Sequence, residues 1–387
     1  MLQLVDKITE AIDNNQFAAG IFIDLSKAFD TLDHRILLNK LEFYGIRGVT
    51  LHWFKSYLEN RKQYVDYKGA KSSYLGVSCG VLQGSILGPI LFLLYINDIC
   101  HTSKILHFII FADDTNAFVA NKDISALNQI INTELANLST WFTSNKLSVN
   151  INKSCYILFK TKNKKIDNSS LNILLNGTLL PQVKFTKFLG VLIDENLTWS
   201  NHIESIVNKI SKSAGLICKL KYILPTYVLL TLYNTLILPY LNYCALIWAV
   251  NNSYKLNSIL LVQKRVIRAI CRTDRSAHSA PLFKRCGLLV IHDIYKLQVA
   301  QFMFRFHYHL LPKIFSDFFV MNDVVHPYFT RQSKKLHIHS ATKKLRQDNI
   351  RFAGPKLWNS LPSEDTSVSS LTAFTHRFKF KLQEKYL

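Results

Sequence analysis

Two adjacent carboxylates, Asp113 and Asp114, interrupt an apolar run in the stretch HFIIFADDTNAFVA at 107–120. Two like charges so close together repel each other and raise one pKa unless a cation lies between them. The apolar residues on either side predict a β-hairpin with Asp113, Asp114 and Thr115 at its tip. The pair is therefore either an acidic surface turn or part of a site for a divalent metal ion, and a third carboxylate would favour the metal.

Asp24 is the candidate for that third carboxylate. It follows an apolar run, residues 21–23, which is typical of a buried strand, and from Lys27 to Gly45 apolar residues recur at helical spacing. Asp24 could cap that helix, as could Ser26. Alternatively, two neighbouring strands bring Asp24 beside the acidic hairpin, where the carboxylates would hold two Mg²⁺ ions for phosphoryl transfer.

The composition indicates a folded chain with an uneven charge. Its 387 residues, 49% of them hydrophobic, are enough for two or three domains with a real core. Residues 1–150 contain 13 basic and 14 acidic side chains, whereas residues 151–387 contain 34 and 12, so the net charge of +21 comes from the second part. This excess favours a polyanionic partner, with solubility as the alternative.

Targeting signals and cysteines indicate an intracellular protein of the nucleus or cytoplasm. The first sixteen residues predict an amphipathic helix with Val5, Ile8 and Ile12 on one face, rather than a secretion signal. Seven cysteines without a CxxC pair predict neither a disulfide framework nor a zinc ribbon. Residues 222–254 carry no formal charge and could span a bilayer, but Pro239 favours a broken, buried helical pair, so no membrane partner is expected.

Five ordered motifs give the chain a family resemblance. They are FIDLSKAFDTLDH (22–34), CGVLQGSILGPILFLLYINDI (79–99), FADDTNAF (111–118), LSVNINKSCYILF (147–159) and KFLGVLID (187–194). Together they resemble the consecutive palm motifs of reverse transcriptases from non-LTR retrotransposons of the LINE or jockey-like kind. LVQKRVIRAICR (261–272), HPYFTR (326–331) and GPKLWNSLP (354–362) resemble, more loosely, the region that follows the polymerase.

The resemblance implies an RNA-directed DNA polymerase, a nucleotidyltransferase that adds deoxynucleotides to a primer 3′-hydroxyl. Asp24 and Asp113 would be the metal ligands for two Mg²⁺ ions, with Mn²⁺ as an alternative, and Asp114 the remaining acid of the pair. Lys153 matches a basic residue that could protonate the departing pyrophosphate; the other interpretation is one more cation in a basic region. The implied partners are an RNA template, a DNA primer and deoxynucleoside triphosphates.

Other motif residues would bind the nucleotide and the primer. Phe29 matches an aromatic gate that crowds a 2′-hydroxyl, although its spacing equally fits a core aromatic. Gln83 and Gly84 match the loop before a helix lining the nucleotide site, predicted from Ser85 or Ile86 to near Ile99 with Pro89 in its first turn. A hairpin that would grip the primer is expected at Phe188, Leu189 and Gly190.

The resemblance predicts the class α+β. A right-hand palm, with an antiparallel or mixed sheet packed on helices, would occupy residues 1–195, a mostly helical thumb 196–300, and a basic tail of unknown role 301–387. In the thumb, a helix would turn Ile259, Val262, Val266, Ile267 and Ile270 inward and offer four cations to phosphates. These cations are Lys264, Arg265, Arg268 and Arg272, and a solvated basic helix face is the alternative.

Two departures from the family pattern stand out. Leu82 occupies a position where proline is usual, and the finger motifs that normally precede the Asp24 strand are largely missing. We therefore expect either a carboxyl-terminal part of a larger element protein, whose amino-terminal part would be a further partner, or a degraded copy of such an element. The rival hypotheses are a nucleic-acid-binding remnant without catalysis and a membrane protein anchored by residues 222–254.

Overall fold

The structure is a computed structural model that describes residues 1–160, 171–250, 254–325 and 332–386. The motif HPYFTR at 326–331 lies outside the described residues. Two compact units divide the chain: a first unit, Asn14–Lys184, and a second unit that combines Met1–Asp13 with Phe185–Leu387. The predicted domain boundaries near 195 and 300 stay predictions.

The first unit contains a small sheet with helices. Its elements are β1 (Phe17–Ile23), α2 (His34–Phe43), α3 (Gly48–Leu58), β2 (Lys62–Gln63), β3 (Asp66–Tyr67), β4 (Ala70–Lys71), β5 (Leu75–Gly76), α4 (Leu87–Ile96), β6 (His107–Phe111), β7 (Asp114–Asn121), α5 (Ile124–Ser144), β8 (Cys155–Phe159), β9 (Leu174–Leu175) and β10 (Thr178–Leu179), with 3₁₀ turns at Ala28–Asp30 and Asn97–Thr102; α1 belongs to the second unit. The main sheet has the order β6-β7-β1-β8, and all its neighbouring strands are antiparallel. Buried side chains such as Ile21, Val119 and Leu135 form a core between β1, β7 and α5. The predicted α+β class is confirmed.

The helix expected from Lys27 begins later than its apolar spacing predicts. Lys27 has a left-handed φ of 48°, and α2 starts only at His34, where the Asp33 carboxylate accepts a hydrogen bond from the Ile36 amide. The carbonyls of Phe29 and Leu32 accept from the amides of Val81 and Gly80. The predicted helix start at Lys27 was wrong, because the backbone carbonyls of this segment bind a distant loop. The alternative that Asp24 caps the helix was also wrong, because Asp33 is the cap of α2.

The acidic hairpin turns one residue earlier than expected. Phe111 pairs with Asp114, so the two turn residues are Ala112 and Asp113, while Asp114 and Thr115 already belong to β7. Ala112 has a φ of 52°, in the left-handed region that a residue with a Cβ seldom adopts. The hairpin itself is as predicted, but its tip is Ala–Asp.

The second unit is mainly helical. Its elements are α1 (Leu2–Asp13), β11 (Phe185–Phe188), β12 (Val191–Asp194), α6 (Ser200–Leu220), α7 (Thr226–Leu236), α8 (Leu238–Asn242), α9 (Ala245–Trp248), α10 (Leu256–Cys271), α11 (Ser279–Arg285), α12 (Ile291–His307), α13 (Asn322–Val325), α14 (Lys344–Gln347), α15 (Ile350–Trp358), α16 (Ser363–Thr366) and α17 (Leu371–Glu384), with a 3₁₀ turn at Lys313–Phe315. The predicted face of α1 is buried at Val5, Ile8 and Ile12.

The uncharged segment 222–254 forms short helices. The break falls at Ile237, and Pro239 lies in the first turn of α8, where its missing N–H costs no hydrogen bond. Among the described residues, none of the helices combines the length and the apolar character needed to cross a membrane. The predicted break near Pro239 is observed, but the predicted burial is only partial. In α7 the buried residues are Leu229 and Tyr233, whereas Tyr227 is 72% exposed.

The inward face of α10 differs from the prediction at one position. Ile259, Val266 and Ile270 are buried as expected, but Val262 is partly exposed and Gln263 is fully buried. The Gln263 amide donates to the Tyr233 hydroxyl at 2.8 Å and accepts from the Ile291 amide at 2.9 Å. Hydrophobic spacing could not reveal this position, because its partners come from other elements.

A buried acid holds α1 against the carboxyl-terminal part of the same unit. The carboxylate of Asp6, 3% exposed, lies 2.6 Å from Arg346 Nη1 and 2.7 Å from Arg351 Nε. Asn349 donates to the hydroxyl of Thr9, one turn along α1. The tail is therefore folded onto the first helix rather than trailing from the domain.

Candidate active site and nucleic-acid-binding residues

The three candidate carboxylates lie where β1 ends and β7 begins, at the edge of the four-stranded sheet formed by these strand ends. The last paired residues of β1 and β7 are Ile23 and Thr115, so Asp24 and Asp114 are the next residues of the two antiparallel segments. Residues opposite each other on such strands have Cβ atoms about 5 Å apart. Asp113 occupies the adjoining turn. Acids 89 residues apart in the sequence are thereby brought together, as their positions at strand ends predicted.

The electrostatics of this edge reflect that proximity. Partial burial raises the pKa of Asp114 above its ordinary value, and the charges of Asp113 and Asp24 raise it further. The folded chain thus holds this proton more tightly than the unfolded chain. The resulting stability is present below the ordinary pKa and is lost as the pH rises through the raised one. At neutral pH the edge carries repelling charges, which a bound cation would relieve.

Asp24 is positioned by the segment that precedes β8. Its amide donates to Ser154 Oγ at 3.1 Å, and its carbonyl accepts from the Asn150 amide at 2.8 Å. The Ser154 hydroxyl is fully buried and donates onward to the Asn150 carbonyl. Lys153 Nζ lies 4.0 Å from Asp24 Oδ2, with most of its side chain in solvent. The structure therefore places Lys153 beside the candidate acids, and it adds Ser154, which sequence reasoning missed.

The carboxylate oxygens of this site are the type of ligand that a magnesium ion prefers. Mg²⁺ in phosphoryl-transfer sites is commonly bound by one or two carboxylates, with substrate phosphates and water completing the shell. Within the described ranges no group of three or more His, Cys, Asp or Glu side chains is arranged to hold an ion. A Mg²⁺ site with only two protein ligands, the carboxylates of Asp24 and Asp113, is consistent with this finding. The other oxygen ligands would come from substrate phosphates and water.

The predicted nucleotide-binding residues lie in two segments, and the loop before α4 is hydrogen-bonded to the segment that contains Phe29. Phe29 is half-buried with its ring 4.6 Å from that of Phe92, and Gln83 Nε2 donates to Asp30 Oδ1 at 2.8 Å. Gly80 has a φ of 84°, and a Cβ there would lie 2.7 Å from the Asp30 carbonyl oxygen, so only glycine allows this approach. Gly84 also has a positive φ, and α4 follows with Pro89 in its first turn. The structure thus brings Phe29, Gln83 and Gly84 together.

The hairpin expected at residues 188–190 is present in the second unit. Strands β11 and β12 are joined by Leu189 and Gly190, which have φ values of 46° and 80°, as a tight hairpin turn requires. The Tyr243 hydroxyl donates to the Leu189 carbonyl at 2.7 Å. Phe188 is 2% exposed and packs in the core, whereas Leu189 and Gly190 form the turn, and the primer contact expected at these three residues stays a prediction.

The predicted basic helix lines a groove with more cations than the prediction named. Arg265 and Arg268 of α10 line it together with Lys221, Arg275 and Thr273, and none of the described residues that line it is acidic. Thr273 Oγ1 is buried without a hydrogen-bond partner in the described part of the chain. Lys221, Thr273 and Arg275 were missed, because they follow α6 and α10 in loops that show no helical periodicity.

The other two predicted cations do not line this groove. Arg272 ends α10 in a left-handed conformation and donates its Nη2 to the Leu224 carbonyl, while Lys264 lies on the same helix outside the groove. Arg268 donates its Nε to the Ala277 carbonyl, which fixes the guanidinium at the groove wall.

Comparison with known proteins identifies the family. The model of the family "Reverse transcriptase (RNA-dependent DNA polymerase)" matches residues 3–193, the range that contains Asp24, Asp113 and Asp114. Residues 3–193, just under half of the chain, are a reverse transcriptase domain. The similarity to curated relatives supports a domain of the jockey-like kind.

Two of the relatives are proteins of Drosophila mobile elements. The RNA-directed DNA polymerase from mobile element jockey of Drosophila melanogaster is 28% identical, over 69% of this chain and 30% of the relative. The probable RNA-directed DNA polymerase from transposon X-element of the same species is 26% identical, over 75% and 32%. The chain therefore spans about a third of the length of these curated relatives. A solved telomerase from Candida albicans has a TM-score of 0.33 and 14% identity over 76% of this chain and 52% of its own, too remote to carry an argument.

Proposed function

We propose that this chain carries the polymerase centre of a retrotransposon reverse transcriptase and joins deoxynucleotides to a primer under the direction of an RNA template. The primer 3′-hydroxyl attacks the α-phosphate of a deoxynucleoside triphosphate. A new phosphorus–oxygen bond forms, the bond to pyrophosphate breaks, and the hydroxyl proton is released. The observation that supports this most strongly is the convergence of Asp24, Asp113 and Asp114 at one sheet edge, with the pKa of Asp114 raised by its neighbours.

Asp24 and Asp113 would hold two Mg²⁺ ions, or Mn²⁺ in their place. When bound, the ions neutralise the charge of the triphosphate and of the attacking oxygen. Asp114 keeps the primer end of the site acidic. Lys153, with its ammonium in solvent beside Asp24, would donate a proton to the departing pyrophosphate.

Substrate selection would belong to the loop that joins the first palm motif to α4. By its match to the aromatic gate of the family, the ring of Phe29 would clash with a ribose 2′-hydroxyl. Its contact with Phe92 would limit the movement of the ring. Gln83 and Gly84 would line the nucleotide on the other side. These roles follow from the match of each residue to a family motif.

The second unit would hold the nucleic acid. The turn at Leu189 and Gly190 would contact the primer, and the groove of Arg265, Arg268, Lys221 and Arg275 would bind backbone phosphates of the template–primer duplex. We further propose that the chain acts inside the cell and works with the rest of the longer element protein that its relatives' lengths indicate.

The test is extension of a DNA primer on an RNA template by the purified chain, with Mg²⁺ and deoxynucleotides. Asp113→Asn removes one metal ligand without changing the size of the side chain, and we expect extension to fall at least about a hundredfold while binding of the template–primer stays the same. Asp317→Asn makes the same change in charge at an exposed position of the second unit and is the matched control. Equal extension by the wild type and Asp113→Asn would refute the proposal, and salt-sensitive binding without any extension would favour the non-catalytic alternative.

A further inference from the structure

Residues 61–76 form a narrow double-stranded ribbon in the first unit, here called the tyrosine ribbon. Strand β2 pairs with β5 and strand β3 pairs with β4, and the tip turns through Lys68 and Gly69, whose φ values are 51° and 86°. The backbone amides of Val65 and Gly69 are satisfied locally by Ser72 Oγ and Asp66 Oδ1. The backbone ladder and two short side chains hold the shape of the ribbon, so its aromatic and basic side chains are available to contact a ligand.

The ribbon exposes an unusual amount of aromatic surface. Tyr67 and Tyr74 are 69% and 67% exposed, and Tyr64, 41% exposed, meets the edge of Tyr74 at a centroid distance of 4.9 Å. Every residue from 62 to 76 is exposed. None of these three tyrosines is buried, so they do not belong to the core of the first unit. Exposed rings in such a group indicate a binding surface.

Cations alternate with these rings. Lys68 Nζ lies 5.4 Å from the centre of the Tyr67 ring, and Lys71 Nζ lies at the same distance from that of Tyr64. At the base of the ribbon, Arg61 lies 5.1 Å over the ring of Tyr57, which stacks on Trp53. The one acid of the ribbon, Asp66, is occupied by the tip turn. The surface therefore offers flat rings and positive charge in alternation.

We propose that the tyrosine ribbon is a binding surface for single-stranded nucleic acid. Aromatic faces stack on bases of any sequence, and adjacent ammonium groups neutralise the phosphates between them, which is the combination that sequence-tolerant single-strand binding requires. A double helix keeps its bases stacked inside and could use only the cations. A membrane surface is disfavoured because the turn itself, Lys68–Gly69, is polar rather than a bulky apolar wedge.

This inference goes beyond the proposed polymerase and does not depend on its catalysis. A strand laid along the ribbon needs neither a metal ion nor a nucleotide. Failure of primer extension would leave the ribbon proposal intact, and failure of single-strand binding would leave the carboxylate site intact.

The experiment measures binding of a fluorescent oligouridylate to the full chain without Mg²⁺ or nucleotides, by fluorescence anisotropy. We expect Tyr67→Ala and Tyr74→Ala each to weaken binding about tenfold, in line with the stacking contribution of one base. Tyr67→Phe and Tyr74→Phe keep the ring and should bind like the wild type. Tyr227→Ala removes a tyrosine of similar exposure, 72%, from α7 and is the matched control.

Three results would overturn the proposal. Unchanged affinity of the alanine variants would show that the rings take no part, and equal losses for phenylalanine and alanine would show that stacking is not the cause. Binding of phosphatidylserine vesicles that is lost in the same variants, with no loss of oligouridylate, would assign the ribbon to a membrane. Circular dichroism spectra matching those of the wild type should accompany each variant, since every altered side chain is exposed.

Discussion

Ser154 shows how a single buried hydroxyl can position a residue of the candidate site. It accepts a hydrogen bond from the amide of Asp24 and donates one to the carbonyl of Asn150, and its own exposure is zero. The direction in which Asp24 leaves the end of β1 is therefore fixed by a residue 130 positions later. Ser154 would touch neither substrate nor metal ion, so we regard it as a positioning residue.

Ser154→Ala should weaken the site by releasing Asp24. A buried amide without an acceptor costs about 1–3 kcal/mol of unfolding free energy. We expect a rise of several-fold in the Mg²⁺ concentration needed for half-maximal extension, with template–primer affinity unchanged. Ser144→Ala, at the exposed end of α5, is the control. A variant with lower stability but an unaltered Mg²⁺ titration would show that Ser154 serves the fold alone.

The residue scale also shows what the sequence can and cannot reveal about the site. Asp24, Asp113 and Asp114 were singled out because acids at the ends of apolar strands can form a metal site, and the ordered family motifs favoured that interpretation over a helix cap and a surface turn. Ser154 lies inside a recognised motif, yet a serine carries no signal of its own, since its role depends on the backbone groups that surround it. The roles assigned to Lys153, Phe29 and the residues at 188–190 remain predictions that geometry alone does not test.

At the scale of elements, apolar periodicity predicted which segments pack better than where they start. The face of α10 and the break near Pro239 were foreseen because both depend on local spacing or on a missing N–H. The start of α2 was not, because the carbonyls of Phe29 and Leu32 are used by Gly80 and Val81. A pattern of side chains carries no information about a backbone partner fifty residues away.

The basic groove supports a prediction about α10 and the loop that follows it. Arg265→Gln and Arg275→Gln should each weaken template–primer binding several-fold and reduce the slope of log affinity against log salt by about one. Arg265 lies against Gly215 of α6, so its removal leaves an exposed surface rather than a cavity.

Arg305→Gln is the control for the groove. Arg305 is an exposed arginine of α12 outside the groove, and the variant has the same change in charge. If all three variants lose affinity equally and keep parallel salt slopes, the groove has no special role and the net charge of the unit explains binding.

For the molecule as a whole, the buried ion cluster at Asp6 is a junction between distant parts of the chain. Asp6→Asn would leave Arg346 and Arg351 close together without a carboxylate, and breaking a buried pair in this way typically costs about 3–5 kcal/mol. We expect a corresponding fall in the denaturant midpoint of the second unit. Glu10→Gln, an exposed change on the same helix, should alter stability by less than about 0.5 kcal/mol. Equal midpoints for the two variants would contradict the role of the cluster.

The same junction constrains how the protein is made. A ribosome that adds about 5–20 residues each second would release α1 about 20–70 s before Arg346 and Arg351 exist, because 340 and 345 residues separate them from Asp6. During that interval the sheet of the first unit can close, whereas α1 presents an apolar stripe and a carboxylate with no partner. A chaperone that shields this helix during translation would therefore act before the carboxyl-terminal part of the second unit is available to cover it.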